Sequence, residues 1–186
     1  MKSFDYSFFL SYSFSSLFSN MVDSPEGIIV RPDSKIIVPR VVAEQDYFGL
    51  LNKCKASGFA DVNMGSISKD PFTPALTFGA NPCFAGVTYT KDGKGMYVFH
   101  SDERIFPPEL EGLIKKGIVH GGIVGGSPAS YKRSENMELL QQIAVQLVPP
   151  PEDDFQASFA VAANPAENTV YYSYNSRLYR LQNTQK

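Results

Sequence analysis

Short apolar runs of strand length dominate the chain, and three stretches of helical spacing interrupt them. Gly27 to Val30 and Lys35 to Val38, set between Pro32 and Pro39, read as extended structure within residues 25–42. Glu44 to Ala56 reads as a first, short amphipathic helix. Val62–Ser68 and Pro74–Phe78 read as strands, and the loop Gly79-Ala80-Asn81-Pro82 then delivers Cys83. Phe84–Thr90 and Gly95–His100 flank Lys91-Asp92-Gly93-Lys94, a pattern that predicts a β-hairpin because Asp-Gly tolerates the positive φ of a tight turn.

Pro107-Pro108 open a second helix with Leu110, Leu113 and Ile114 on one face and Gly117 past its end. Gly117–Gly126 is a glycine-rich strand and loop. Ser134 caps a longer helix in which Met137, Leu140, Ile143, Ala144 and Leu147 recur at helical spacing, until Pro149-Pro150-Pro151 end it. Phe155–Ala162 and Thr169–Tyr174 form a strand pair across Asn164-Pro165, which Arg177–Leu181 extends. The order of elements predicts an α+β fold with mixed or antiparallel β-sheets and two or three helices. Residues 25–182 read as a single domain behind an N-terminal Ser- and aromatic-rich arm at 1–24.

The hairpin has a consequence for chemistry. If Asp92-Gly93 are its two loop residues, Lys91 faces Lys94 and, counting outward, His100 faces Ala85. Cys83, Ala85 and His100 then share a face, since strand side chains repeat with period two. Diagonal neighbours lie roughly 7–8 Å apart, within reach of long side chains. A three-residue loop would send His100 to the opposite face.

Composition narrows the field. Hydrophobic residues at 43% and charged residues at 19% describe a globular chain, and 14 Phe with 10 Tyr supply aromatic area in the absence of Trp. A net charge of −2 without a basic run gives no signal for nucleic acid. No segment reaches the length of a membrane span. The first twenty residues resemble a signal peptide only superficially, because Asp5 interrupts them and no small-residue cleavage site follows. Two cysteines, Cys54 and Cys83, have no spacing that argues for a disulfide, which suits a reducing compartment.

For nucleophilic work the chain offers one coherent set: Cys83, His100 and Thr77. A thiol becomes a nucleophile when an imidazole takes its proton, and the imidazole needs a third group to fix its ring. Thr77 lies on the strand feeding the cysteine loop. Gly79, Ala80 and Asn81 are candidate donors to an oxyanion, and Gly122 a further one from the glycine-rich segment. Counting alone also allows a zinc site from His100, His120, Cys54 and Cys83. Gly121–Gly126 lacks the Lys-Ser/Thr of a phosphate loop, so a close backbone approach is its expected role.

A Thr six residues before a Cys, a Gly between them and a His seventeen after the Cys resemble the CheD family of chemoreceptor glutamine deamidases. Val62-Asn63-Met64-Gly65-Ser66-Ile67 is similar to that family's opening strand. Gly121–Gly126 followed by Arg133-Ser134-Glu135-Asn136 is similar to its Gly-Gly segment and helix start. The resemblance covers roughly residues 60–175. More distantly, the same Cys–His arrangement occurs in toxin deamidases such as cytotoxic necrotizing factor and Burkholderia lethal factor. Pro82 stands where the family has Ser, and Ala80-Asn81 replace Leu-Gly.

The resemblance implies a CheD-like architecture and hydrolysis of a protein glutamine side chain to glutamate, through a thioester on Cys83, without metal or cofactor. It implies Cys83 as nucleophile, His100 as base and Thr77 as the residue that orients it. The partner implied is a protein carrying a reactive glutamine, either a signalling protein of the chemoreceptor kind acted on in the cytoplasm or a host protein reached by a secreted effector. An inactive protein-binding module on the same scaffold is the alternative.

Overall fold

The computed structural model of the protein describes residues 28–29, 40–43, 47–102, 105–143, 145–148, 159–174 and 177–182. Strands β1 (Ile28–Ile29) and β2 (Arg40–Ala43) precede helix α1 (Tyr47–Ala56). Strands β3 (Ala60–Asp61), β4 (Ser66–Ile67), β5 (Ala75–Ala80), β6 (Phe84–Thr90) and β7 (Met96–His100) follow. Next come α2 (Pro108–Lys115), β8 (Val119–Gly126), α3 (Pro128–Tyr131), α4 (Ser134–Ile143) and β9 (Val145–Leu147). Strand β10 (Phe159–Asn164), a 3-10 turn (Pro165–Glu167), β11 (Thr169–Tyr174) and β12 (Arg177–Gln182) complete the order. The arm expected over 1–24 and the strand expected over Lys35–Val38 lie outside the described residues.

The strands form two six-stranded sheets, β1-β9-β8-β6-β7-β4 and β2-β12-β11-β10-β5-β3. Neighbours run antiparallel except β8 with β9 and β3 with β5, so both sheets are mixed and the fold is α+β. Strands β6, β7, β8 and β10 bury side chains on both faces, and alternate side chains enter different cores. Ala85, Val87, Met96, Val98 and Ile123 meet Val161, Ala163, Val170 and Tyr172 between the sheets. Phe84, Phe99, Val124 and Val145 face the other way, onto Leu110 and Ile114 of α2 and Leu140 and Ile143 of α4. On the far side of the second sheet, Cys54 of α1 packs with Leu76, Ala160, Ala162 and Leu178. The result is four layers, helices–sheet–sheet–helix. Each fully buried Val, Leu, Ile or Phe in them contributes roughly 1.5–3 kcal/mol.

Two glycines of the rich segment permit this packing. A Cβ on Gly122, whose φ is 145°, would lie 2.0 Å from the Val87 carbonyl oxygen, and one on Gly125 would enter the Phe159 ring at 2.4 Å. The first is an approach between strands and the second an approach between sheets. The close backbone approach expected of this segment is therefore present, for a packing reason.

The hairpin keeps the expected register and changes its loop. Ala85 faces His100 and Thr88 faces Tyr97. The loop is four residues wide, 91–94, closed by Thr90 N–H to the Gly95 carbonyl at 2.9 Å. Gly93, at φ 70°, donates to the Thr90 carbonyl at 2.8 Å, and Asp92 Oδ1 accepts from Thr90 Oγ1 at 2.7 Å and Lys94 N–H at 3.1 Å. A four-residue loop adds one residue to each side of a two-residue one, so the pairing beyond it is unchanged.

Two expected elements are corrected. The Val62–Ser68 strand is instead a turn between β3 of one sheet and β4 of the other, because Gly65 takes φ 75° and Ser66 N–H closes onto the Asn63 carbonyl at 3.1 Å. The third helix stops at Ile143, and Val145–Leu147 is a strand lying parallel to β8. An apolar stretch at helical spacing fits a strand buried on both faces equally well, and the open edge of β8 supplied the ladder. No helix among the described residues is long and apolar enough to cross a membrane.

Candidate active site

Thr77 lies on β5 of the second sheet and His100 at the end of β7 of the first, and they meet between the sheets. Thr77 Oγ1 and His100 Nδ1 are 2.8 Å apart, and both residues are buried. The same hydroxyl donates to the Val62 carbonyl at 2.8 Å. A carbonyl only accepts, and a threonine has one hydroxyl hydrogen, so that hydrogen is spent on Val62. The bond to His100 must run the other way, with Nδ1–H donating to Thr77. Nε2 then carries the lone pair. It is buried and has no hydrogen-bond partner among the described residues. Burial holds the imidazole below its ordinary pKa and so neutral at neutral pH.

Cys83 sits two residues before Ala85, whose partner is His100, so the register brings Cys83 and His100 to the same end of the hairpin. Its side chain is 4% exposed, and its thiol donates to the Met64 thioether at 3.5 Å rather than to the imidazole. Met64, in the turn between β3 and β4, was not singled out as a site residue by sequence reasoning. Nothing in its local pattern marks it, since the contact depends on how two sheets are joined.

Serines clasp the loop that carries Cys83. Ser130 Oγ donates to the Pro82 carbonyl at 2.6 Å, and Ser127 N–H donates to the Cys83 carbonyl at 2.9 Å. Asn136 in α4 holds Ser130 in turn through a 2.7 Å bond to its carbonyl. On the other side, Phe84 N–H donates to Ser101 Oγ and Ser101 N–H to the Phe84 carbonyl, each at 2.9 Å. This reciprocal pair joins the residue after Cys83 to the residue after His100. The hairpin register is thereby extended up to the site.

The oxyanion candidates fare unequally. Asn81 N–H is taken by the Gly79 carbonyl at 2.8 Å, and Pro82, which follows a cis bond, has no N–H. Gly79 and Ala80 belong to the end of β5, where Ala80 faces Phe159. Gly122 lies opposite Thr88, five positions from Cys83 and so about 16 Å along the strand. The glycine at the cysteine is Gly126, where an added Cβ would lie 2.6 Å from the Cys83 carbonyl oxygen. Cys83's own N–H has no acceptor among the described residues.

The four residues that counting allowed as zinc ligands do not converge. Cys54 lies behind the second sheet, and His120 is exposed opposite Tyr89. Among the described residues no three His, Cys, Asp or Glu side chains come together in a way that could hold a metal ion. Comparisons of the chain with known protein families, with curated proteins and with solved structures found no match.

Proposed function

We propose that the protein is a cysteine-dependent protein-glutamine deamidase with Cys83 as nucleophile, His100 as base and Thr77 as the group that orients the base. The observation that carries this reading is the Thr77–His100 bond with the threonine hydrogen committed to Val62, because it leaves Nε2 as an unpartnered base.

The reaction follows from these roles. His100 Nε2 takes the Cys83 proton, and the thiolate attacks the carboxamide carbon of a substrate glutamine. The tetrahedral oxygen gains negative charge beside the Cys83 N–H. His100 returns the proton to the nitrogen, the C–N bond breaks and ammonia leaves. Water, deprotonated by the same imidazole, then opens the thioester to a carboxylate and restores the thiol. The substrate is a protein, either a signalling protein of the chemoreceptor kind or a host protein met by a secreted effector.

The test is to incubate the protein and its Cys83→Ser variant with a whole proteome. Ammonia release is followed, and peptides are searched by mass spectrometry for glutamine converted to glutamate. Conversion that depends on Cys83 supports the reading, and equal conversion by both proteins sinks it. One observation favours a second reading, a binding module without catalysis: the Cys83 thiol donates to Met64 and makes no bond to His100. No conversion by either protein, together with a partner retained equally by both, would establish that module.

A further inference from the structure

Residues 62–66 form one short segment that meets all three residues of the site, two through their side chains and His100 through its backbone. The Val62 carbonyl accepts from Thr77 at 2.8 Å, and Ser66 is paired with His100 across β4 and β7. Between them the Met64 thioether accepts from the Cys83 thiol at 3.5 Å. The outer two contacts are anchored in backbone: Val62 N–H also donates to the Leu76 carbonyl at 2.8 Å, and Ser68 N–H to the Val98 carbonyl at 2.8 Å. The middle contact is a side chain alone. Met64 is 56% exposed while Cys83 is 4% exposed, so their contact links the buried cysteine to a side chain that reaches solvent. An unbranched thioether has several rotatable bonds and can swing aside without disturbing the anchored turn. A second observation points to what is missing beneath it, since His100 is 5% exposed and its Nε2 has no partner.

We propose that Met64 is the gate of this site, its thioether covering Cys83 in the free protein until an incoming amide side chain displaces it and releases the thiol to His100 Nε2. That the incoming group is a glutamine side chain rests on the deamidase reading; the gate itself does not. A protein substrate displaces the methionine with contacts made around it, whereas a small free amide has only its own few atoms to do so. Met64 is therefore a selectivity residue for the size of the substrate.

The test uses the full chain and iodoacetamide, with alkylation at Cys83 and Cys54 read separately by mass spectrometry. Met64→Ala accelerates Cys83 alkylation on the order of fivefold or more, the worth of one modest hydrogen bond and its contact. Met64→Leu, which keeps the volume but loses the thioether acceptor, accelerates it by less than Met64→Ala does. Cys54 does not change in either variant, which separates gating from general loosening. A Cys83 rate in Met64→Ala equal to wild type overturns the gate, and so does acceleration of both cysteines together. If Met64→Ala does not fold, Met64→Ser carries the same expectation. Acceleration of Cys83 without glutamine conversion in any proteome leaves the gate standing and removes the deamidase. Cys83-dependent conversion with no effect of Met64 does the reverse.

Discussion

Cys54 and Cys83 are equally buried, at 5% and 4% exposure, yet they occupy different chemical surroundings. Cys54 lies among Leu76, Ala160, Ala162 and Leu178 behind the second sheet. Burial there pushes its thiol up to about 11, with Lys53 offsetting only part of the rise. Cys83 lies between β5 and β6, on a loop clasped by Ser130, Ser127 and Ser101, at the end of the hairpin that ends in a buried imidazole. Burial alone therefore does not identify a nucleophile. What separates the two cysteines is the polar groups that burial leaves beside each.

On the proposed deamidase reading, the largest effect expected from this contrast is on catalysis. Cys83→Ser lowers ammonia release on the order of a thousandfold or more, as loss of a nucleophile does, while Cys54→Ser leaves the rate within about twofold. Steady-state assay of both variants checks it, and equal losses would erase the distinction. Thr77→Val comes next. It strands the Val62 carbonyl and the His100 Nδ1–H and frees the ring to turn, so activity falls about ten- to a hundredfold, the size carried by orienting partners of histidine elsewhere. The same variant loses about 1–3 kcal/mol of stability for each buried group left unpaired, read by urea denaturation.

Cys54→Ser tests the other environment. A hydroxyl in that apolar cluster costs about 1–3 kcal/mol without touching activity, and a matching loss of activity would mean that the two regions are coupled. The smallest effect is on pH. Because burial holds His100 below its ordinary value of 6.5, the neutral base persists into mildly acidic solution and the acid limb of kcat/KM falls below that value. Stability follows the same sign: the contribution is complete above 6.5 and is lost as pH falls through the lower value in the folded protein. A limb at or above 6.5 would show that the imidazole is not in the dry position beside Thr77.

The hairpin was legible in the primary structure for a local reason. Asp92-Gly93 between two β-rich runs set the register through a turn, and a turn reports only on its immediate neighbours. That was enough to align Ala85 with His100 even though the loop proved wider. Helix α2 was legible for the same kind of reason, with proline at its start and Gly117, at φ 64°, past its end. Val145–Leu147 was misread as helix because apolar spacing reports burial, and either a helix face or a parallel strand satisfies it. Val62–Ser68 was misread as one strand because its two ends belong to different sheets, which no local pattern encodes.

The sequence by itself determined the residues of the candidate site, their spacing and the hairpin that carries two of them, since these depend on turn chemistry and strand alternation. The tertiary structure alone decided that β5 and β6, joined through the cysteine loop, part into two facing sheets, so that Thr77 reaches His100 across the interior. It also decided the tautomer, through a third partner at Val62, and the contact at Met64. These outcomes depend on contacts between segments far apart in the chain, and such contacts are selected by the packing of whole layers rather than by any local run of residues.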